Sequence, residues 1–512
     1  MATLSRRATF AGGLWDVAAL VFPLFTTLLL SVVIARQLGS SALGEQSLIA
    51  YVASLVASVV IFAASSCAIQ VMASSHGRED AAQLASLGRL SRRVHLVTGV
   101  LAGLGIASVA TFRPEPMAWV LMGLVTLIDA VGWSYGTSLI ARHGWRAVSP
   151  LRLVSQTVAA LLSVAALLAG GGLAWIFAVQ VLVSLSLAWV LRERDRRDSG
   201  PGAAALSRAE LRPLIRLWLL FVLSMLLSQI VDKRMELLFL AAFGSAHEVA
   251  VYAVAFSLVT VAVTIPSSLA GAAIPGIAAA GAADAGAGLA GHLRRASRLA
   301  TMAACLLTAA LIVLGPSAVV LFWGAALQDA ADVLPWMAIS VLFVPIRVLY
   351  NAYWTGVGRL APVLATGGVG AVVDLVAAAL LVPAFGIAGA VVANVAAQVV
   401  TCGLLVAHTR RQVVGRGAAG GQLLRSAAVS VLAGGTAWLA AAAVGGGPLL
   451  TLVLGALTFL VVVLAVGLAV GLVSFEDADW LVSTLPGAVG PVLVFFGGHR
   501  WAASRRTLVP TG

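Results

Sequence analysis

Four polar residues follow one another in a stretch that is otherwise apolar enough to lie inside a membrane. They are Gln229, Asp232, Lys233 and Glu236, and their i, i+3, i+4, i+7 spacing places them on one helical face, with Arg234 on another. Charges inside a bilayer cost ~2.5 kcal/mol or more, so they normally face a polar cavity or a partner. Two interpretations stay open: the stripe lines a substrate cavity, or its charges pair and fix the helix packing.

A second polar face with the same spacing lies further along the chain. It consists of Arg347, Tyr350, Asn351 and Trp354. A guanidinium group offers paired donors suited to phosphate, and the aromatic and amide side chains suit sugar rings and hydroxyls. The sequence therefore predicts substrate binding here. The alternative is an ion pair between Arg347 and Asp374, which is predicted at a similar depth on the next helix.

Four acidic residues in apolar stretches are candidates for coupling or gating: Asp129, Asp232, Asp374 and Asp16. Asp129 is predicted near the middle of a helix. It is expected to line the cavity face of the other lobe, to carry a coupling proton, or to make a hydrogen bond between helices. Asp16 begins the first apolar stretch, where an acidic residue is favoured by the helix dipole, so a structural role is favoured over a functional one.

The elements that must position these residues follow from the composition. The chain has 512 residues, of which 61% are hydrophobic and only 10% charged, whereas soluble domains have about 25% charged residues. Apolar runs of about twenty residues, long enough to cross a ~30 Å hydrocarbon core, follow one another closely. We predict fourteen transmembrane helices, near 14–35, 43–65, 94–112, 117–140, 151–169, 173–191, 214–241, 248–274, 299–323, 333–357, 361–382, 386–408, 424–444 and 448–474.

The basic residues give the predicted helices an orientation. Nearly all of the 32 Lys and Arg residues fall in every second connection, counted from the N-terminus, while the opposite connections hold Arg36 and Arg113. By the positive-inside rule this predicts a multi-pass protein of a bacterial inner membrane with both termini in the cytoplasm. The same distribution argues against nucleic-acid binding, although the net charge is +12.

The chain is expected to consist of two similar halves and an appendix. A basic, Gly-Pro-Gly-rich connection separates two sets of six helices, and similar short segments follow the first helix of each set. The predicted organisation is an N-lobe at 1–198, a cytoplasmic linker at 199–213, a C-lobe at 214–410, two further helices at 424–474 and a cytoplasmic tail at 475–512.

Nothing in the sequence points to catalysis. The seven histidines are scattered, and neither a zinc-protease motif nor a phosphate-binding loop is present. Cys67, Cys305 and Cys402 lie in apolar runs, as small buried hydrophobic residues do. We therefore predict no catalytic residue, no metal site and no cofactor, and no enzyme activity.

Several short motifs resemble the bacterial polysaccharide, or O-antigen-type, flippases of the multidrug/oligosaccharidyl-lipid/polysaccharide exporter superfamily. They are Ile34-Ala-Arg-Gln-Leu-Gly, Phe243-Gly with Val251-Tyr-Ala, Ile265-Pro with Ile274-Pro, and Pro383-Ala-Phe-Gly-Ile-Ala-Gly-Ala. The resemblance implies an all-α polytopic membrane protein of two pseudo-symmetric six-helix lobes plus two C-terminal helices. It implies that a lipid-linked oligosaccharide or polysaccharide precursor moves from the cytoplasmic to the external leaflet by alternating access.

The resemblance also implies the partners. They are a sugar substrate on a polyprenyl-phosphate-type lipid, membrane lipids, an ion gradient and polysaccharide assembly machinery. In such proteins the last two helices flank a groove for the polyprenyl tail, and residues 426–475 here carry no formal charge.

One feature does not fit the resemblance. A cationic cavity is expected for a lipid pyrophosphate, but acidic residues slightly outnumber basic ones within the predicted helices. Two alternatives therefore stay open: an ion-coupled multidrug or small-molecule exporter of the same superfamily, and a non-transporting scaffold of a polysaccharide assembly complex. A drug exporter is expected to have twelve helices, so the last two favour the flippase.

Overall fold

A computed structural model describes six ranges of the chain: 24–198, 208–272, 286–357, 359–410, 419–444 and 446–472. Within these ranges the regular structure is helical throughout. An apolar chain in lipid must satisfy its backbone polar groups internally, and helices do so within one segment. The predicted all-α polytopic fold is confirmed.

The helices are numbered here in chain order. The first eight are α1 (Leu24–Leu38), α2 (Ser40–Ala57), α3 (Ala63–Gly77), α4 (Ala81–Ser108), α5 (Pro116–His143), α6 (Ser149–Leu168), α7 (Leu173–Asp198) and α8 (Arg208–Asp232). The remaining nine are α9 (Glu236–Phe243), α10 (Ala246–Ala272), α11 (Gly286–Trp323), α12 (Gln328–Ala338), α13 (Val344–Gly356), α14 (Ala361–Phe385), α15 (Ile387–Thr409), α16 (Ala419–Val444) and α17 (Pro448–Val470).

Among the described residues, 13 helical segments are long and apolar enough to cross a membrane. They correspond one by one to the predicted helices from 43–65 to 448–474. The first predicted helix, 14–35, overlaps the shorter apolar helix Leu24–Leu38, and its beginning lies outside the described residues.

Some spans are interrupted. A π-helical turn at Ser58–Phe62 separates α2 from α3, and a 3-10 turn at Ile339–Leu342 lies between α12 and α13. The predicted helix 214–241 is also not continuous, because α8 ends at Asp232 and α9 begins at Glu236. The prediction of one unbroken helix is wrong at this turn. A continuous helix would place Lys233 and Glu236 on the same face, whereas the turn separates exposed Lys233 from buried Glu236.

The chain divides into two compact units. Of the described residues, those in 24–254 and 367–397 form the first unit, and those in 255–366 and 398–472 form the second. In the first unit, α4 packs closely on α5, because glycines let the two backbones approach. A Cβ atom on Gly103 would lie only 2.7 Å from the carbonyl oxygen of Gly123. Small residues at helix contacts are how membrane helices gain van der Waals packing.

At one end of the first unit, alternate helix connections meet. Arg113, after α4, donates to the carboxylate of Glu45 at 3.2 Å through Nε and at 2.5 Å through a terminal nitrogen. Trp119 Nε1 donates to the same carboxylate at 2.7 Å. His247, at the start of α10, lies 3.0 Å from the hydroxyl of Ser40. These are the connections that the arginine distribution assigned to one side.

At the other end of the first unit, basic connections meet in the same way. Asp195, near the end of α7, is only 2% exposed. Arg92 contacts it at 3.3 Å and Arg142 at 3.4 Å. The alternation of the connections between the two ends therefore agrees with the predicted order of spans. Which end faces the cytoplasm stays a prediction.

Replacing Glu45 tests the packing at the first of these ends. Glu45→Ala removes the acceptor of both Arg113 and Trp119, so we expect a loss of unfolding free energy of about 2 kcal/mol or more. The estimate is below that of a fully buried pair because Arg113 is 23% exposed. The measurement is the thermal unfolding midpoint of the purified protein in detergent. Glu193→Ala, which breaks the exposed pair with Arg197, is the control and should change little. Equal shifts in both variants would contradict the account.

Candidate functional site

Two acidic side chains lie together in the interior of the first unit. Glu236 opens α9 and is 0% exposed, and Asp374, in the middle of α14, is 1% exposed. The Glu236 carboxyl group faces the Asp374 carboxyl, the Asn394 amide of α15 and the Tyr252 hydroxyl of α10. Four helices thus contribute one polar group each to a single buried cluster, which we call the acidic cluster.

None of the described basic side chains donates a hydrogen bond to the carboxyl groups of the acidic cluster, although Arg234 lies near its tyrosine Tyr252. None of the four oxygens of Glu236 and Asp374 receives a hydrogen bond of standard length and angle from a described residue. Tyr252 and Asn394 nevertheless lie close enough to interact with Glu236, so small side-chain rotations would complete those bonds. Two adjacent carboxylates in a low-dielectric interior repel each other, and the pair therefore needs a proton or a small cation. Carboxylate, amide and hydroxyl oxygens are ligands that hard cations prefer.

Two further residues border the acidic cluster. Tyr51 of α2 interacts electrostatically with both carboxyl groups, and its hydroxyl donates to the Met235 sulfur at 3.4 Å. Arg234 lies within electrostatic reach of Tyr51 and Tyr252. A continuous helix would have placed Arg234 away from this region. The turn after Asp232 brings it near instead.

The predicted stripe of Gln229, Asp232, Lys233 and Glu236 does not form one face. Gln229 is buried and donates from its amide to the Ser58 hydroxyl at 2.6 Å. Lys233 lies in the turn and is exposed, whereas Glu236 begins the next helix and is buried. The interpretation as a single stripe is therefore wrong, because the helix ends inside it. The side chain of Asp232 lies outside the described residues.

A second polar site surrounds Asp129 in the first unit. Asp129 of α5 interacts with the Ser184 hydroxyl of α7 and with the Arg152 guanidinium of α6. The guanidinium carbon of Arg152 sits 3.8 Å from the centre of the Trp133 ring, at cation–π distance. Asp129, Arg152 and Ser184 border a cavity of about 270 Å³ whose other polar lining includes Gln156, Gln180 and Ser163.

Sequence reasoning found Asp129 but missed its partner. Arg152 is near the start of the predicted helix 151–169, so it was counted with the loop arginines that set orientation. Its long side chain instead reaches into the bundle. The recognisable signal was an arginine two residues after Pro150, inside the first turn of an apolar helix. A side chain there can extend toward the bundle interior as well as toward the headgroups.

The second unit holds the predicted face on α13. Arg347 is buried, at 4% exposure, and Asn351 is half-buried. The Tyr350 hydroxyl lies 3.1 Å from that of Ser297.

Trp354 has partners of its own. Its Nε1 donates to the Thr409 hydroxyl at 2.9 Å, and its ring centre lies 5.2 Å from that of His408. Tyr350 and Trp354 belong to the apolar core of the second unit, together with Leu293, Leu349 and Leu405. Both aromatic side chains thus pack this unit, and substrate contact stays a prediction. Asp374 belongs to the first unit, and Asp16 lies outside the described residues.

Comparison with known proteins gives a fold but no family assignment. No family model and no curated protein matches the sequence. Among solved structures, "Lipid II flippase MurJ, inward closed conformation" has a TM-score of 0.69 at 13% identity, covering 89% of this chain and 99% of that one. An inward-facing MATE multidrug resistance transporter of the MOP superfamily has a TM-score of 0.62 at 16% identity, covering 76% and 94%. The eukaryotic MATE transporter AtDTX14 has a TM-score of 0.54 at 15% identity, and the match covers 82% of this chain and 97% of that one.

The chain therefore shares the fold of the MurJ flippase and the MATE transporters. The fold is the one that the superfamily resemblance of the sequence motifs implies. Membership of that superfamily, and of its O-antigen-type branch, stays a prediction.

The pair of Asp129 and Arg152 can be tested by a double-mutant cycle. Asp129→Asn and Arg152→Gln should each lower the unfolding midpoint, because each leaves an unbalanced charge. The double variant should lose less unfolding free energy than the two single variants lose together. The difference, which is the coupling free energy, should be about 1–3 kcal/mol. Exposed Arg146→Gln serves as the control in the same cycle. Strictly additive effects of the two site variants would show that the pair does not interact.

Proposed function

We propose that the protein is a membrane flippase that moves a lipid-linked oligosaccharide or polysaccharide precursor from the cytoplasmic to the external leaflet. In this proposal it works by alternating access, driven by a cation that binds the acidic cluster. The observation that carries it is the buried pair of Glu236 and Asp374 in a fold shared with MurJ and the MATE transporters.

The cation acts by favouring one arrangement of helices over another. Without it, the two carboxylates of α9 and α14 repel each other. With it, they are held on a shared ion together with Asn394 and Tyr252. A ligand shifts a conformational equilibrium only through such differential affinity for two states. Ion sites beside interrupted helices recur in transporters, and the turn at Lys233–Met235 lies next to Glu236. Local helix movement at this turn is how we propose that binding is transmitted.

The lipid-linked substrate is supported by the length of the match. The MurJ structure, named as a lipid II flippase, covers 89% of this chain, and the inward-facing MATE structure covers 76%. The chain has fourteen predicted spans, and a drug exporter is expected to have twelve. These observations favour the flippase over the exporter.

Substrate contacts are assigned by side chain. We assign the phosphate to Arg347 and sugar hydroxyls to Asn351, with exposed Lys233 attracting the anionic headgroup. Tyr350 and Trp354 shape the second unit, and Gln229 fixes α8 against Ser58. Asp129, with Asp232, Asp374 and Asp16, is assigned to coupling or gating. The arginine distribution supports an inner-membrane location with both termini in the cytoplasm. The family resemblance supports association with polysaccharide assembly machinery.

Flipping in proteoliposomes tests the proposal. A fluorescent lipid-linked sugar is reconstituted with the protein, and a sodium gradient is imposed. The fraction of the labelled lipid in the external leaflet is then followed by quenching its fluorescence from outside. We expect Glu236→Gln and Asp374→Asn to lower the gradient-driven rate by about 5- to 150-fold, the range of typical coupling free energies. Glu193→Gln, an exposed acidic residue at the end of α7, is the matched control and should retain the rate.

Two outcomes would overturn the proposal. Undiminished gradient-driven flipping in both acidic variants would remove the acidic cluster from the mechanism. A wild-type protein that flips no lipid-linked sugar but extrudes cationic dyes would favour the multidrug exporter instead.

A further inference from the structure

A long apolar groove lies in the first unit, apart from the acidic cluster. Its first part is a cavity of about 520 Å³ between α3, α4 and the beginning of α8. Its second part is a cavity of about 500 Å³ between α2, α4 and the middle of α8. Thr98 and Trp218 line both parts, so the two adjoin each other along α4 and α8. We call the two parts together the α4–α8 groove.

The α4–α8 groove is open to the side. Its lining includes Leu101 of α4, which is 66% exposed, and Ile215 and Leu219 of α8, which are 52% and 54% exposed. In a membrane-spanning helix such surfaces face hydrocarbon. The groove is therefore accessible from the lipid phase, and an apolar chain can enter it sideways.

The charges at the groove are at one end and mostly basic. Arg93 lines the first cavity, and it immediately precedes the predicted membrane segment 94–112. Arg212 and Arg216 are exposed on α8 beside the lining residues Leu211 and Ile215, and exposed Glu210 precedes Leu211. Among the described residues, no acidic side chain lines either cavity. This arrangement fits a ligand with an anionic head and a hydrocarbon tail, since phosphate and arginine are complementary.

The length of the groove distinguishes between two such ligands. From Arg93 to Ile106, at the far end of the second cavity, α4 rises ~20 Å at ~1.5 Å per residue. One leaflet of a ~30 Å hydrocarbon core is only ~15 Å deep. An ordinary phospholipid whose head is at Arg93 therefore ends its chains before the groove ends. A chain longer than one leaflet would fill it.

We propose that the α4–α8 groove binds the isoprenoid tail of a polyprenyl phosphate in a loading position, with the phosphate at Arg93. The assignment of the phosphate to Arg347 applies to a later position of the substrate during transport. This inference rests on the proposed function, because it gives the lipid-linked substrate a place for its tail. It also places the tail in the first unit rather than beside the last two helices, where the family resemblance puts it.

Photo-crosslinking tests the proposal. The full-length protein is reconstituted in nanodiscs of phosphatidylglycerol and phosphatidylethanolamine with a polyprenyl phosphate that carries diazirines along its tail. Peptides are then analysed by mass spectrometry. We expect adducts within 94–106 and 211–222, displaced by excess unlabelled polyprenyl phosphate. A parallel sample with diazirine-labelled phosphatidylglycerol shows whether bilayer phospholipid occupies the same segments.

A groove-filling variant provides the matched comparison. Gly105 lines the second cavity, and a Cβ atom there would meet open space. Gly105→Phe should therefore fold and should lower the polyprenyl adducts at least about tenfold, the effect of displacing about two buried methylene groups. Gly403→Phe, at an exposed glycine of α15 that also has open space around its Cβ position, should leave them unchanged.

The outcomes separate the groove from the proposed function. If the wild type flips lipid but shows no polyprenyl adducts in these segments, the groove proposal alone is overturned. The same holds if adducts form and Gly105→Phe leaves them unchanged. Labelling by phosphatidylglycerol that excess polyprenyl phosphate does not displace shows a bulk-lipid site and also overturns it. Absence of wild-type flipping overturns the proposed function, whereas the adducts still report on the groove.

Discussion

The pairing of two carboxyl groups inside a membrane protein is the constraint on which the proposed mechanism depends. Glu236 and Asp374 are buried side by side, and no described residue gives their oxygens a hydrogen bond of standard geometry. In water such a pair would be unremarkable, but in an apolar bundle two uncompensated negative charges are costly. The proposed mechanism uses this cost, because a cation bound between the two carboxyl groups would offset it.

The helical architecture makes this arrangement achievable. Continuous helices satisfy their own backbone groups, and an interruption lets neighbouring side chains along the chain face different directions. The turn at Lys233–Met235 ends α8 and starts α9 with Glu236 facing inward. Elsewhere in the first unit, Glu45 forms an ion pair with Arg113, and Asp129 interacts electrostatically with Arg152. The acidic cluster differs from these pairs because its two carboxyl groups face each other.

Much of the fold was predictable, because it depends on properties that sum along the chain. Apolar segment lengths located the spans, and the arginines predicted which connections share an end, as the contacts of Glu45 and Asp195 bear out. Glu236 and Asp374 were each recognisable as charges in apolar segments. Their proximity was not, since it depends on how α9 and α14 pack.

The remaining errors have the same physical origin. A helical stripe from Gln229 to Glu236 assumed regular geometry, and a local turn broke it. Tyr51, Tyr252 and Asn394 were not recognised as site residues, because tyrosine and asparagine in membrane helices often serve only to pack them. Arg152 was assigned to a loop, although a long side chain at a helix end can reach the bundle interior. Sequence patterns locate polar residues along a helix, but tertiary packing determines which of them meet.

The most direct test of the cation requirement is the thermal unfolding midpoint of the purified protein, titrated with sodium chloride against choline chloride at constant ionic strength. A ligand that binds only the folded state stabilises it by about 2.7 kcal/mol at a hundred times its dissociation constant. The account predicts a saturable rise in the wild-type midpoint, which is absent in Asp374→Asn. Repeating the titration at lower pH covers the case in which the cation is a proton. No rise in the wild-type midpoint with either sodium or protons, or an equal rise in Asp374→Asn, would contradict the account.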